Sequence, residues 1–410
     1  MKPSALHSKE YVEQNLNLWY HGNDGNPLPK MEKFSSWNPA AVYEAWKVMD
    51  NTDFVTSLLP DMDTEYQRWK ETNSLSNGLL WQYDVRDGME ESVSGARKLK
   101  NARPTINSYM YGNAKALAEM FGALTSKQAE YKAEAERMRT LVLDSLWNPE
   151  HRFFETLCTN WQKTDKENPP LVCSRSGVRE AIGFIPWYFN LPTCENSQKT
   201  KKQPQIRYDE AWLQVEDEKG FSAPYGLTTA ERRHPQFRSH GVGTCEWDGA
   251  IWPFATSQTL TAMANYLNDY PDPVISDSTY FRQMELYVES QHHRGRPYVG
   301  EYLDETNGAW LMGDKERSRY YNHSTFADLV ITGLVGLRPQ SDNTIMVNPL
   351  VPEGKWDWFC LDAVKYKGHT LTIIWDKDGQ HYHQGRGLLL LVDGRLAAHR
   401  IDLGQMSYKL

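Results

Sequence analysis

The sequence predicts a mainly α-helical protein closed by a small β-rich region, and three observations carry that expectation. Between residues 39 and 337, apolar residues recur at helical spacing, in segments of similar length divided by loops rich in glycine, proline, asparagine and aromatic residues. No alternating strand pattern interrupts them. After Pro339 the texture changes: Thr370 to Trp375 and Leu388 to Val392 are strand-like, and Asp378-Gly379 and Asp393-Gly394 are hairpin-turn dipeptides. Helices of similar length with no strands between them describe helical hairpins arranged in a ring or bundle. The expected domains are 1–338, helical, and 339–410, small and β-sandwich-like.

The elements follow in order. A helix is expected over 39–50. Val55, Leu58, Leu59 and Met62 then share one helical face, and Pro60 within the set calls for a kink or a new helix start. The next helix, 106–123, has Pro104 suited to its first turn. Met138, Leu141, Val142 and Leu146 mark another, followed by 178–189, 206–218 and the set Leu260, Met263, Ala264 and Leu267. Helices over 277–292 and 323–336 complete the series, the last apolar nearly all round and therefore expected at the centre. Residues 159–176 and 193–205 are polar and contain several lysines, which predicts exposed loops.

Composition narrows the function classes. A formal net charge of −8 provides no basic stripe for nucleic acid or an anionic membrane, so a neutral or polar partner is expected. No run approaches the roughly 20 apolar residues of a membrane helix, and Met1 to Glu10 lacks a signal peptide's apolar stretch, so a cytoplasmic location is the default expectation. The five cysteines (Cys158, Cys173, Cys194, Cys245 and Cys360) show no Cys-x-x-Cys spacing and read as free thiols, a Cys173 to Cys194 bridge being the alternative. His292-His293, His381-Tyr382-His383 and Asp376-Lys377-Asp378-Gly379 read as surface histidines and a turn rather than metal sites. The sequon at Asn322 reads as chance, and Gly241-Val242-Gly243 lacks the third glycine of a dinucleotide fingerprint. No cofactor is expected. The 15 tryptophans outnumber the 13 phenylalanines; a large aromatic core explains part of that excess, and a sugar-binding cleft would take the rest.

Two acid-rich clusters, Arg86 to Ser92 and Gly300 to Gly308, flank the tryptophan block Trp247 to Pro253. Glycosidic cleavage needs one carboxylic acid to protonate the leaving oxygen and one carboxylate to activate water or attack the anomeric carbon. Aromatic rings can stack on the apolar faces of sugars while carboxylates and amides bind the hydroxyls. Glu90, with Glu91 and Asp87 as competitors, and Glu301, with Asp304 and Glu305 as competitors, are the candidate acids. The substrate-binding candidates are Trp37, Trp81, Asp87, Asn107, Tyr111, Trp187, Trp247, Asp248, Trp252, Tyr302 and Trp310. Asn107 and Tyr111, four residues apart, share a helical face.

The order of these blocks resembles the six-hairpin (α/α)6 glycosidases, especially the mannosylglycerate-hydrolase-like and family 63-like α-glycosidases, over roughly residues 34–338. Phe34-Ser35-Ser36-Trp37 resembles the Tyr-Ser-x-Trp segment of that group. Arg86 to Ser92 resembles its Glu-Ser-Gly-Met-Asp-Asn-Ser block, whose aspartate, the general acid, falls at Glu90. Ile182 to Pro192 and Gly226 to Thr229 before His234-Pro235 match its subsite loops. Trp247 to Pro253 is similar to Trp-Arg-Gly-Pro-Ile-Trp, with Asp248 in place of the arginine and Ala250 in place of the proline. Glu301-Tyr302 resembles the block carrying the catalytic base. The resemblance implies an (α/α)6 toroid, completed irregularly by residues 1–33 or lacking part of the ring. It also implies an inverting hydrolase of an α-linked glucoside or mannoside in a short oligosaccharide. The rival readings are a polysaccharide lyase or sugar epimerase on the same toroid and a carbohydrate-binding relative without catalysis. The oligomeric state is open.

Overall fold

The structure is a computed structural model that describes residues 6–22, 34–49, 51–95, 97–122, 125–161, 170–193, 206–238, 245–321 and 325–410. Its helices are α1 (Lys9–His21), α2 (Asn38–Trp46), α3 (Thr52–Ser57), α4 (Leu59–Asn73), α5 (Pro104–Phe121), α6 (Ser126–Leu141), α7 (Ile185–Tyr188), α8 (Pro253–Asp269), α9 (Asp277–Ser290) and α10 (Phe326–Leu329), the last continuing as a π-helical turn, Val330–Leu334. Proline stands in the first turn of α2, α4, α5, α7 and α8, where the N–H it lacks would have had no partner within the helix.

Burial separates inner from outer helices. α5 and α8 are buried almost all round, whereas α4 and α6 bury one stripe each, Leu59, Met62, Tyr66 and Trp69 in the first and Tyr131, Ala135 and Met138 in the second. The inner helices α2, α5, α7, α8 and α10 lie side by side in succession, with α4 and α6 packed outside α5, and α9 outside α8. This is the hairpin layering expected from sequence.

A new helix does start at Pro60, which is the second residue of α4; Leu58 alone separates α4 from α3. Three segments depart from expectation. Residues 178–189 form only a 3-10 turn, Ala181–Phe184, and the single turn of α7, because Pro186 lacks the N–H that a helix continuing through it would need. Residues 206–218 form a 3-10 helix, Tyr208–Val215. The expected helix over 323–336 lies partly outside the described residues; in its described part Leu329 and Thr332 to Leu334 are buried while Ala327 is exposed, so it is not enclosed on all sides. Within 159–176, strands Leu157–Thr159 and Val172–Arg175 pair in a hairpin. Cys194, the sequon at 322–324 and Gly241 to Gly243 lie outside the described residues. Cys158, Cys173, Cys245 and Cys360 are free thiols.

The C-terminal strands are β1 (Leu337–Pro339), β2 (Thr344–Val347), β3 (Trp358–Tyr366), β4 (His369–Asp376), β5 (Gly387–Val392), β6 (Arg395–Arg400) and β7 (Met406–Lys409). They form two antiparallel sheets, ordered β1-β2-β7 and β3-β4-β5-β6. Tyr366 joins them, its hydroxyl donating to the Thr344 carbonyl at 3.1 Å and accepting from the Gln340 N–H at 3.1 Å. The β region is fastened to the helices by Arg338 on Asn265 (2.8 Å), Asn348 on Asn268 (2.8 Å) and backbone bonds from Lys365 to Leu6 and from Lys367 to Val48. One continuous apolar core spans both parts.

Candidate active site

The chemistry-bearing loops gather where the inner helices begin. After Gln82–Tyr83 pairs with Lys100–Asn101, the chain makes a 3-10 turn, Asp84–Asp87, closed by Gly88 at φ +80°, a left-handed position that favours glycine. Asp87 anchors this loop. Its Oδ2 receives hydrogen bonds from Gln82 Nε2 (2.6 Å) and Thr105 Oγ1 (2.7 Å) and lies 3.0 Å from Arg103 Nε, while Oδ1 accepts the Met89 N–H at 3.2 Å. Arg103 is fully buried; burial alone would lower its affinity for a proton, but Asp87, Asp84 and Glu180 together hold the guanidinium above its usual range. Burial likewise pushes the Glu180 carboxyl up, against the pull of Arg103. Glu90 follows this clamp and is half-buried.

The second acid loop is tied to the tryptophan block through the backbone. Ile251 and Leu303 exchange both N–H···O bonds at 3.0 Å, and Leu303 also pairs with Trp310. Thr229 braces the block from the side, donating to the Ala250 carbonyl and accepting the Gly249 N–H, each at 3.1 Å. A Cβ at Gly249 would lie 1.9 Å from the Arg238 carbonyl oxygen, so only glycine fits. Asp248 is ion-paired with Arg238, whose Nε donates to Oδ2 at 2.6 Å; burial raises the Asp248 carboxyl and Arg238 opposes that rise. A guanidinium therefore meets position 248 from ten residues upstream.

Met89 and Tyr302, the chain neighbours of Glu90 and Glu301, belong to one buried cluster against which Cys245 packs. Burial raises the Cys245 thiol, and the negative charges of Glu90 and Glu301 push it further, with Arg97 opposing. That small cluster contains Met89, Tyr109, Ile182, Trp247, Trp252 and Tyr302, and half-buried Trp37, Phe254, Leu311 and Met312 also pack against it.

Several expected substrate contacts are placed otherwise. Trp252 is sandwiched between Trp247 (centroids 3.9 Å apart) and Tyr302 (4.4 Å), all three at 2% exposure or less, so their faces are occupied by one another and not open to a sugar. Trp187 is fully buried against Phe154 and Trp212. The Asn107 amide is spent on the backbone of Leu80 and Arg103, and Tyr111 is buried with its hydroxyl receiving a bond from Arg139 at 2.7 Å. Trp81 carries Lys100 over its ring at 4.2 Å, with Arg86 at 5.9 Å. Trp310 packs against Gly300, behind Glu301, and donates to the His292 carbonyl. Asp87 holds structure rather than facing a cleft. Trp37 alone among the expected rings is half-exposed, 4.8 Å from Tyr109.

The competing acids are also placed. Glu91 pairs with Arg97 at 3.2 Å, Asp304 accepts the Thr306 and Asn307 N–H groups in its own turn, and Glu305 is buried. A cavity of about 580 Å3 lies among the inner helices, lined by residues including Trp37 and Arg338–Ser341; neither Glu90 nor Glu301 lines it. Cys245, Arg238, Glu180 and Tyr109 escaped the sequence reading, since nothing local distinguishes them and only tertiary placement brings them to the acids. Among the described residues, no cluster of three or more metal-ligating side chains occurs, and no helix is long and apolar enough to cross a membrane.

Layered helical hairpins with two acid loops at one end and a sheet domain after them define a protein of the glycoside hydrolase class. The chain belongs to the family of mannosylglycerate hydrolase MGH1-like glycoside hydrolase domains, whose model matches residues 4–324; residues 337–399 match the glycosyl hydrolase family 65 C-terminal domain. A solved protein named "Sialidase" is 59% identical over 98% of this chain, with a TM-score of 0.89, and this chain spans 35% of its length. The mannosylglycerate hydrolase of Thermus thermophilus shares the fold. In complex with glucose it is 14% identical (TM-score 0.51, 68% of this chain and 71% of that one); with Tris and D-glycerate, 13% identical (TM-score 0.56, 79% and 88%).

Proposed function

We propose that this chain is an inverting glycosidase in which Glu90 is the general acid and Glu301 the general base. The observation that carries the reading is that Met89 and Tyr302, the chain neighbours of the two acids, belong to one buried cluster against which Cys245 packs, so that both carboxylate charges act on the Cys245 thiol. Glu90 protonates the glycosidic oxygen as the bond breaks; Glu301 takes a proton from the water that attacks the opposite face of the anomeric carbon. The Asp87–Arg103 clamp fixes the backbone just before Glu90, and the Ile251–Leu303 pairing fixes it two residues after Glu301. Because the buried rings stack on one another, the sugar's apolar face is assigned to half-buried Trp37, Phe254, Leu311 and Met312 at the edge of the cluster. The substrate class is an α-linked glucoside or mannoside of a short oligosaccharide.

Glu90→Gln and Glu301→Gln should each lower kcat on the natural, poorly activated glycoside by roughly 10²- to 10⁴-fold. Proton NMR of the first product should show the β-anomer from an α-linked substrate. Near-wild-type turnover by both variants refutes the acid assignment; an initial α-anomer refutes inversion while leaving the acids in place.

A further inference from the structure

The edge strand β3 of the four-stranded sheet opens with Trp358, whose side chain is 51% exposed. The His381 ring stacks on it, centroids 3.9 Å apart and planes within 5°, and Tyr382 meets it edge-on at 6.2 Å. With one face covered, the water-exposed area falls on the other face and rim. Trp358 borders a shallow groove of about 680 Å3 lined by Asp357, Lys377, Asp378, Gln380, His381 and Arg386.

The groove is held in shape without a ligand. Asp376, 1% exposed, accepts backbone N–H bonds from Gly379 (3.0 Å), His381 (3.0 Å) and Tyr382 (2.7 Å), which fixes the turn that carries Gln380 and His381. Lys377 Nζ bonds Asp357 Oδ1 at 2.9 Å, and His399 Nε2 lies 2.8 Å from the Arg386 carbonyl. Two acids and two bases line the groove, so it has no net preference for a charged partner. A protein or membrane surface would call for further apolar side chains around the indole; here, apart from the edge of Tyr382, the neighbours are carboxylates, an amide, an imidazole and cations. A flat apolar platform ringed by short-range donors and acceptors, with charge in balance, matches a pyranose, whose C–H face is apolar and whose rim is hydroxyl.

We propose that the Trp358 groove is a binding site for neutral saccharide chains, separate from the Glu90 and Glu301 loops. The test is native electrophoresis of the full chain through gels containing soluble α-mannan, amylose or dextran, with polygalacturonate as the acidic arm. At least one neutral polysaccharide should retard the protein, and Trp358→Ala should weaken that interaction at least about tenfold, a loss of one stacked ring. Turnover of a small aryl glycoside should be unchanged in that variant. Gln380→Ala, at an exposed position, should weaken retention severalfold without altering the melting temperature, which separates binding from any effect of Trp358 on folding. No retardation by the neutral polymers, retardation by polygalacturonate alone, or retardation indifferent to both substitutions would overturn the proposal. None of these outcomes touches the acid assignment, which turnover of the natural glycoside by Glu90→Gln and Glu301→Gln reports independently.

Discussion

Replacing Asp87 by asparagine removes one charge from a fully enclosed ion pair while conserving its shape. Two donors, Gln82 Nε2 and Thr105 Oγ1, point at the single oxygen Oδ2, which Arg103 Nε approaches to 3.0 Å, and the Met89 N–H points at Oδ1. In either amide orientation the new NH2 group faces at least one of those donors, and the guanidinium loses its nearer counter-charge. Removing one partner of a buried pair costs about 3–5 kcal/mol. Asp84, 3.5 Å from Arg103 Nη1, still shares the charge, so the lower end of about 3 kcal/mol is expected. That is a large share of a typical margin of about 5–15 kcal/mol. Urea unfolding followed by tryptophan fluorescence measures it, and turnover should fall as well, since Glu90 is fixed through this loop. A loss below about 1 kcal/mol would mean that the clamp contributes little.

Peptide-resolved alkylation at pH 8.5 tests the geometry of the acids: because Glu90 and Glu301 both push the Cys245 thiol up, Glu90→Gln and Glu301→Gln should each increase its thiolate fraction and speed its reaction with iodoacetamide, while Cys360 is unaffected. Equal rates in all three proteins would separate the acids from Cys245. Arg238→Ala leaves a buried Asp248 without its counter-ion and raises that carboxyl further. The folded state then holds the proton more tightly than the unfolded chain, so the variant's deficit relative to wild type should be full at pH 7–8 and shrink as pH falls toward the ordinary aspartate range; a deficit independent of pH contradicts this. Gly249→Ala drives a methyl into the Arg238 carbonyl and should cost about 2–4 kcal/mol in a thermal or urea melt, with less than about 0.5 kcal/mol refuting the steric argument.

The sequence made the helical layering legible because α2, α4, α5, α8 and α9 are long, periodic and marked by proline or a capping box at their starts. It overestimated 178–189, which Pro186 interrupts, and 206–218, which is a 3-10 helix over Tyr208–Val215, and it passed over α1, whose buried Val12, Leu16 and Tyr20 form a single narrow stripe. For the site, the two acid loops and the tryptophan block were visible as blocks. Which members face a cleft was not, because a ring that stacks on sugar and a ring that stacks on another ring have the same local pattern. Trp247, Trp252 and Tyr302 turned inward for that reason, and Asn107 became a backbone cap for Leu80. Cys245 and Arg238 carry no motif at all.

The seam between helices and sheets has a consequence for how such chains can be cut and recombined. Arg338 and Asn348 grip α8, Lys365 and Lys367 reach back to Leu6 and Val48, and side chains from both halves share one dry interior. A boundary drawn between the two family matches therefore passes through the interior instead of along a hinge. Fragments severed there would each present greasy, incomplete faces to water, so transplanting the strands onto another helical partner would succeed only if the matching wall travelled with them.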